Sequence, residues 1–163
     1  MKKKLLVLLA VIMVLLVVSI PALADPPENA EGVWGYFPVL AGAPKEAGCN
    51  TFLPTYDDAV WTGTFEGEAI DNGTVVIHCN GKVSYDGTSS FVGEVNGESG
   101  TLEMSSVGKC CDENGHWKGQ WVILSGTGGL ATLRGQGTWF GPGAGGLYNY
   151  GEVEYEGNIH FEP

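Results

Sequence analysis

The chain is acidic and rich in glycine: its 163 residues include 19 Asp and Glu, eight Lys and Arg, and 26 Gly, and the net charge is −11. This charge argues against a nucleic-acid-binding protein, because such binding requires cationic groups that displace counterions from phosphates. It also argues against attachment to anionic membrane surfaces. The length fits one domain with a single hydrophobic core.

Residues 1–24 have the order of charged, apolar and small residues that is typical of a secretory signal peptide. Lys2, Lys3 and Lys4 precede an apolar run from Leu5 to Ile20, and Ala22-Leu23-Ala24 forms an A-x-A cleavage site. The apolar run has 16 residues, fewer than the about 20 that cross a bilayer as a helix. We therefore expect cleavage, no stable membrane insertion afterwards, and a secreted or periplasmic, extracytoplasmic protein.

The remaining chain changes character at Val60. Residues 25–59 contain five prolines and no clear periodicity, so they predict an irregular lead-in with one strand in GVWGYFPVL. Residues 60–163 alternate apolar and polar side chains, which predicts antiparallel strands that bury one face. Asn-Gly and Asp-Gly pairs predict hairpin turns between these strands, at Asn72, Asn80, Asp86, Asn96 and Asn114.

One face of the predicted strands carries large aromatic side chains alternating with glycines. A narrow barrel accommodates such an alternation, whereas a two-sheet sandwich would more naturally use Val, Ile and Leu. We expect Gly63, Gly119, Gly135 and Gly137 to leave space inside the barrel. The candidate ligand-binding residues on this inward face are Trp61, Phe65, Trp117, Trp121, Trp139 and Tyr155.

Two segments, GTSSFVGEVNGESGTLEMSSVG from Gly87 to Gly108 and WKGQWVILSGTGGLATLRGQGTWFGPGAGG from Trp117 to Gly146, carry a family resemblance. Between Val60 and Phe161 the chain resembles mostly uncharacterised small proteins built on the allene oxide cyclase-like, lipocalin-like barrel. The resemblance implies an all-β fold, a single antiparallel eight-stranded barrel after the signal peptide. Characterised proteins with this barrel include plant allene oxide cyclases, which close a fatty-acid epoxide into a ring, and dirigent proteins, which direct radical coupling. Members are often oligomeric, so a homo-oligomer is expected.

Four cysteines in a chain expected to leave the cytoplasm predict disulfide bonds, and three pairings are open to them. A bond between the neighbours Cys110 and Cys111 would close a strained eight-membered ring. We therefore expect Cys49 and Cys79 each to bond to one of these two residues. A zinc site is the alternative, but the usual C-x2-C spacing is absent.

The sequence predicts no metal site and no cofactor. Gly126 to Ala131 fits the dinucleotide motif G-x-G-x-x-A, but a strand pattern follows it where the motif requires a helix, so a turn is expected. His78, His116 and His160 show no spacing typical of metal ligands, and structural roles are expected. Strands could still bring His78 and His160 together.

We expect a non-enzymatic barrel that binds a small hydrophobic ligand in its interior. The alternatives are a cyclase or isomerase of the allene oxide cyclase-like type, which confines a reactive apolar substrate, and a structural envelope protein with a filled barrel. An empty apolar cavity would favour the binding protein, and a filled interior would favour the structural protein. An inner polar group with a shifted pKa would favour the cyclase or isomerase. No motif assigns a catalytic residue.

The exported protein is predicted to begin at Asp25, because cleavage follows the A-x-A site. Edman sequencing of protein recovered from outside the cytoplasm should read Asp-Pro-Pro-Glu. A sequence that begins at Met1 or within the apolar run would contradict cleavage.

Overall fold

The computed structural model describes residues 26–111 and 115–163, so the predicted signal peptide and Asn114 lie outside the described residues. These ranges form nine strands and no helix. Within them, no helix is therefore long and apolar enough to cross a membrane. The strands are β1 (Glu28–Leu40), β2 (Lys45–Ala47), β3 (Asn50–Gly63), β4 (Phe65–Ile77), β5 (Val83–Val95), β6 (Glu98–Cys110), β7 (Trp117–Gly128), β8 (Leu133–Gly141) and β9 (Gly151–Phe161).

Eight of these strands close into an antiparallel barrel. Neighbours in sequence pair from β3 through β9, β9 pairs with β1, and β1 pairs with β3 to complete the circle. The short β2 adds to the beginning of β3, beyond the residues that pair with β1. The predicted all-β, eight-stranded antiparallel barrel is confirmed.

The barrel begins earlier than predicted, because the described part of the predicted lead-in, residues 26–59, is not irregular. Strands β1 and most of β3 lie in this range. Their prolines occupy positions where one edge has no partner in the sheet, which is where strands tolerate proline. Pro38 follows Tyr36, the last β1 residue paired with β9, and Pro54 lies between the β3 residues paired with β2 and those paired with β1.

The Asn-Gly and Asp-Gly pairs have two different roles: some form turns between strands and others lie inside strands. Asn96 and Gly97 have positive φ angles of 52° and 87° and form the predicted β5–β6 turn. Gly81, with φ of 78°, likewise lies in the turn between β4 and β5.

Two predicted turns are strand interiors instead. Gly73 in β4 pairs directly with Gly87 in β5, and the Tyr85 ring covers the place where a side chain of either glycine would lie. Asn72-Gly73 and Asp86-Gly87 therefore provide flat backbone for a ring.

The same arrangement of a ring over paired glycines recurs around the barrel. Trp121 lies over Gly137 and Gly157, and Trp139 lies over Gly108 and Gly119. The glycines that were expected to leave empty space are thus covered by neighbouring groups: Trp139 for Gly119, Trp121 for Gly137, the Ile159 side chain for Gly135, and the Glu31 backbone for Gly63.

One half of the barrel interior is packed with fully buried side chains. The β7–β8 turn carries Leu130, which has no exposed surface. The Leu130 backbone and the Leu102 side chain both lie where a side chain of Gly126 would be. The turn is held by backbone hydrogen bonds from Leu130 N to Thr127 O (3.1 Å) and from Leu133 N to Leu130 O (3.2 Å). The G-x-G-x-x-A segment therefore runs from the end of β7, at Gly128, into the expected turn at residues 129–131, with no helix. The other fully buried side chains in this half include Phe65, Phe91, Val95, Leu102, Leu133 and Ile159.

The disulfide pairing differs from the prediction. Cys49 bonds to Cys79, with a Cα–Cα distance of 5.0 Å, and Cys110 bonds to Cys111. The register explains the first bond: Thr51 pairs with Ile77, so the antiparallel β3–β4 pair places residues 49 and 79 opposite each other. The prediction considered ring strain at Cys110 but could not include this register.

Replacing Gly119 by alanine is predicted to destabilise the fold by about 1 to 3 kcal/mol, since a Cβ would overlap the Trp139 ring and the Val107 carbonyl. The matched control is Gly42→Ala, whose Cβ would meet only Pro54 at 3.5 Å. Urea unfolding of both variants measures the difference. Equal stability of the two variants would contradict this packing.

Candidate functional site

The other half of the barrel contains a cavity of about 250 Å³. It lies where β1 and β8 end and where β3, β5 and β7 begin, close to the Cys49–Cys79 bond. The segment 142–150 between β8 and β9 contributes one wall. The apolar and aromatic residues around it include Trp34, Tyr36, Leu53, Val75, Val83, Tyr85, Trp117, Trp139, Leu147 and Val153.

All six predicted ligand-binding residues lie inside the barrel, but only Trp117 and Trp139 line the cavity. The other four pack against one another in the filled interior. Phe65 has ring-centroid distances of 5.6 Å to Trp61, 5.6 Å to Trp121 and 5.5 Å to Tyr155. Their role as ligand contacts is not supported by this placement.

Trp34, which was not among the predicted site residues, forms the floor between the two halves. Its ring stacks on Trp61 at 5.0 Å and 10°, and its edge contacts Trp139 at 5.9 Å. It pairs with Trp61 across β1 and β3. Trp34 therefore separates the cavity from the aromatic core.

Two carboxyl groups are buried beside this floor. Asp57 in β3 pairs directly with Asp71 in β4, and the residues are only 4% and 1% exposed. Side chains of directly paired residues lie on the same face of the sheet. Asp57 lines the cavity, whereas Asp71 accepts a hydrogen bond from the Ser89 hydroxyl.

The inward position of these carboxyls follows from the strand alternation. Asp71 has the same parity as Phe65 and Ala69, both buried, while Glu66 and Glu68 point outward. An Asp on the apolar parity of a strand is therefore the signal that sequence reasoning could have used. Asp57 was missed because it lies in the segment interpreted as irregular.

Burial raises the pKa of both carboxyls. Desolvation, followed by the charges of Asp71 and Asp58, raises the pKa of Asp57 to about 7. Desolvation also raises the pKa of Asp71 to about 6, against the opposing effects of Ser89 and the nearby Trp34 indole. The Trp34 N–H does not reach hydrogen-bond geometry, since its Nε1 and Asp71 Oδ2 both lack a partner. Near neutral pH, the site can therefore hold or release a proton.

Two tyrosine hydroxyls belong to the same environment. Burial raises the pKa of Tyr36 to about 12, although its oxygen accepts a hydrogen bond from the Ala144 backbone. Burial and the charges of Asp71 and Asp57 raise the pKa of Tyr85 still further. Both hydroxyls are therefore protonated at physiological pH.

Buried polar atoms without a hydrogen-bond partner occur in both halves of the barrel, since Trp61 Nε1 and Trp121 Nε1 in the filled half also lack one. The other four lie on or beside the cavity wall. Thr55 Oγ1, Asp57 Oδ1, Asp71 Oδ2 and Trp34 Nε1 are buried without a hydrogen-bond partner. By contrast, Trp139 Nε1 donates to Ser106 at 2.9 Å. Buried polar groups are normally hydrogen-bonded, so the hydroxyl of Thr55 and the carboxyl of Asp57, on two residues that line the cavity, still have hydrogen-bonding capacity.

Other surfaces offer less. A wider recess outside the barrel is lined by the exposed side chains of Gln120, Gln136 and Glu156, and it lacks the enclosure typical of small-molecule sites. His78 Nε2 and Ser84 Oγ form a hydrogen bond of 2.8 Å near the turn between β4 and β5, at the cavity end of the barrel. His160 lies near the end of β9, beside the filled half, so the two histidines are not brought together. Among the residues of 26–111 and 115–163, no three His, Cys, Asp or Glu side chains are grouped to hold a metal ion.

The fold and the cavity define a small antiparallel barrel whose interior is open in one half only. The chain belongs to the DUF3224 family, proteins of unknown function, whose family model matches residues 45–147. No curated protein is significantly similar to it.

Two solved structures share the fold. A DUF3224 protein of unknown function from Shewanella oneidensis MR-1 is 20% identical, with a TM-score of 0.65 over 85% of this chain and 100% of that one. The pterocarpan synthase dirigent protein GePTS1 is 11% identical, with a TM-score of 0.56 over 87% of this chain and 94% of that one. At these identities the similarity establishes the barrel fold alone.

Replacing Asp57 by asparagine is predicted to stabilise the protein at pH 8. The folded state holds more protons than the unfolded state between about pH 4 and pH 7, because the folded pKa of Asp57 is raised from 3.8 to about 7. Wild-type stability therefore falls as pH rises through this window, by on the order of 2 to 4 kcal/mol. The stability of the variant should lose the pH dependence caused by Asp57 and keep the smaller pH dependence caused by Asp71.

Urea unfolding from pH 5 to pH 8 measures both effects. The matched control is Asp86→Asn, since Asp86 is exposed on the outside of β5, and its pH dependence should equal that of the wild type. An unchanged slope in Asp57→Asn would contradict the buried, unpaired carboxyl.

Proposed function

We propose that this protein binds a small, largely apolar molecule in the open half of its barrel. The observation that carries the proposal is the cavity itself, an apolar enclosure with unpartnered polar atoms at one side. Pockets of this kind, mostly apolar with a few placed polar groups, are typical of small-molecule sites. The filled half then serves to support the floor of the site.

The cavity volume sets the size of the ligand. An apolar cavity of about 150 Å³ takes benzene, so a cavity of about 250 Å³ fits a molecule of roughly ten non-hydrogen atoms on the same scale. A longer molecule would project past the segment 142–150 into solvent.

The place of action that we propose is outside the cytoplasm. The N-terminal pattern of Lys2 to Ala24 is typical of export, and disulfide bonds such as Cys49–Cys79 persist mainly in oxidising compartments. We also propose that the protein is related to the allene oxide cyclase-like barrels.

A cavity-filling substitution tests binding. Val75→Trp should abolish binding of an environment-sensitive apolar dye, because Val75 lines the cavity. Val92→Trp is the matched control: Val92 is 62% exposed on the outside of the barrel, and this variant should bind the dye as the wild type does. Fluorescence titration gives the affinities, and circular dichroism confirms folding of each variant.

Dye binding that is equal in all three proteins would place binding elsewhere. No dye binding by folded wild type would favour the filled, structural barrel instead.

An isomerase or cyclase is the second candidate, favoured by the Asp57–Asp71 pair. A carboxyl with a pKa of about 7 suits proton transfer at neutral pH, and the enclosure would hold a reactive substrate in one conformation. The dirigent protein of the same fold is a pterocarpan synthase. Incubation of the protein with small molecules from the source organism, followed by chromatography and mass spectrometry, distinguishes the candidates. An isomerase converts a compound into a product of the same mass and a different retention time, and Asp57→Asn would lose this conversion.

A further inference from the structure

The charges around the cavity are all of one sign. Asp57 lines it and Asp71 lies beside it, whereas no Lys, Arg or His is among the described residues that line the cavity. Lys82 and Lys109 lie in a separate recess near Cys79 and Cys110. Two buried carboxyls therefore have no cationic side chain opposite them in the site.

A buried carboxylate without a counter-charge is costly, and proteins normally pair it or keep it protonated. A cation that enters the cavity would remove that cost. The surrounding rings of Trp34, Tyr36, Tyr85, Trp117 and Trp139 would also attract a cation, because the faces of aromatic rings carry partial negative charge.

We propose that the ligand carries a basic nitrogen: it is a small organic cation whose ammonium group binds Asp57 and whose apolar body fills the aromatic cavity. This inference rests on the proposed function and adds the chemical class of the ligand. An ammonium group has up to three N–H donors. Asp57 and Thr55 both line the cavity, and the Asp57 carboxylate and the Thr55 hydroxyl, each with an oxygen that lacks a hydrogen-bond partner, would accept two of them.

A metal ion fits this site less well than an organic cation. Calcium takes six to eight oxygen ligands, and magnesium requires octahedral coordination by oxygen. The cavity wall offers mainly carbon atoms beyond Asp57 and Thr55. The apolar surface therefore requires a ligand with a hydrocarbon part.

Binding of a cation should release a proton from the site. In the free protein, Asp57 has a pKa of about 7, and the other titratable groups near it are Asp58 on β3, Asp71 on β4, Tyr36 on β1 and Tyr85 on β5. The tyrosines stay neutral in this range, so the carboxyls control the pH dependence. Cation affinity is lost as pH falls below about 7, because the carboxylate that receives the ammonium becomes protonated.

Three probes of equal size test the inference: 2-phenylethylamine, 2-phenylethanol and propylbenzene. An alkylamine remains protonated between pH 6 and pH 8, as lysine does. Calorimetric titration of the wild type at pH 8 should show the amine binding at least about tenfold more tightly than the alcohol. Its affinity should fall about tenfold between pH 8 and pH 6, the factor expected for one carboxyl with a pKa of about 7.

The variants complete the experiment. Asp57→Asn should bind the amine no more tightly than the alcohol and should lose the pH dependence, while Asp86→Asn should match the wild type. Proton release, measured from the dependence of binding heat on buffer, should accompany amine binding in the wild type near pH 7 and not in Asp57→Asn.

The outcomes separate the two proposals. Similar affinities for the amine and the alcohol, both blocked by Val75→Trp, would overturn the organic cation and leave the small-molecule site standing. Absence of binding for all three probes and for the apolar dye would overturn both. The wild-type pH profile needs no variant, so the inference stays testable even if Asp57→Asn does not fold.

Discussion

The packing of aromatic rings onto paired glycines is the interaction on which this barrel depends. A ring such as Trp121 needs the flat backbone of Gly137 and Gly157 on neighbouring strands, and Trp139 needs Gly108 and Gly119. With these rings in place, Phe65, Leu102 and Leu130 fill the space beyond them. Trp34 lies between this aromatic core and the cavity, stacked on Trp61 and in contact with Trp139. It therefore divides the interior into a filled half and a hollow half.

The hollow half has an energetic consequence that the filled half does not share. Burying Asp57 and Asp71 without a cation raises their pKa values and reduces stability at neutral pH. A barrel that only needed to be stable would gain from apolar residues at these positions. The proposed binding site would give these two carboxyls a role that folding does not supply, in the way that functional sites often depart from optimal packing.

The alternation of side chains was sufficient to predict the barrel and the inward face, because a shift by one residue would expose every ring. The alternation does not locate the cavity, because glycines such as Gly119 and Gly137 suggest empty space until the cross-strand register shows that Trp139 and Trp121 cover them. Register also determined the Cys49–Cys79 bond. The carboxyl pair depends on β3 and β4 lying side by side, and local sequence does not specify such distant pairing.

The most direct test of this divided interior is a crystal structure of the protein under xenon pressure, because xenon enters apolar cavities that are large enough to hold it. Xenon is expected between Leu53, Val75 and Val153, on the cavity side of Trp34, and not among Phe65, Trp121 and Leu130. Xenon within that second group, or no xenon anywhere in the barrel, would contradict the division of the interior into a filled half and a hollow half.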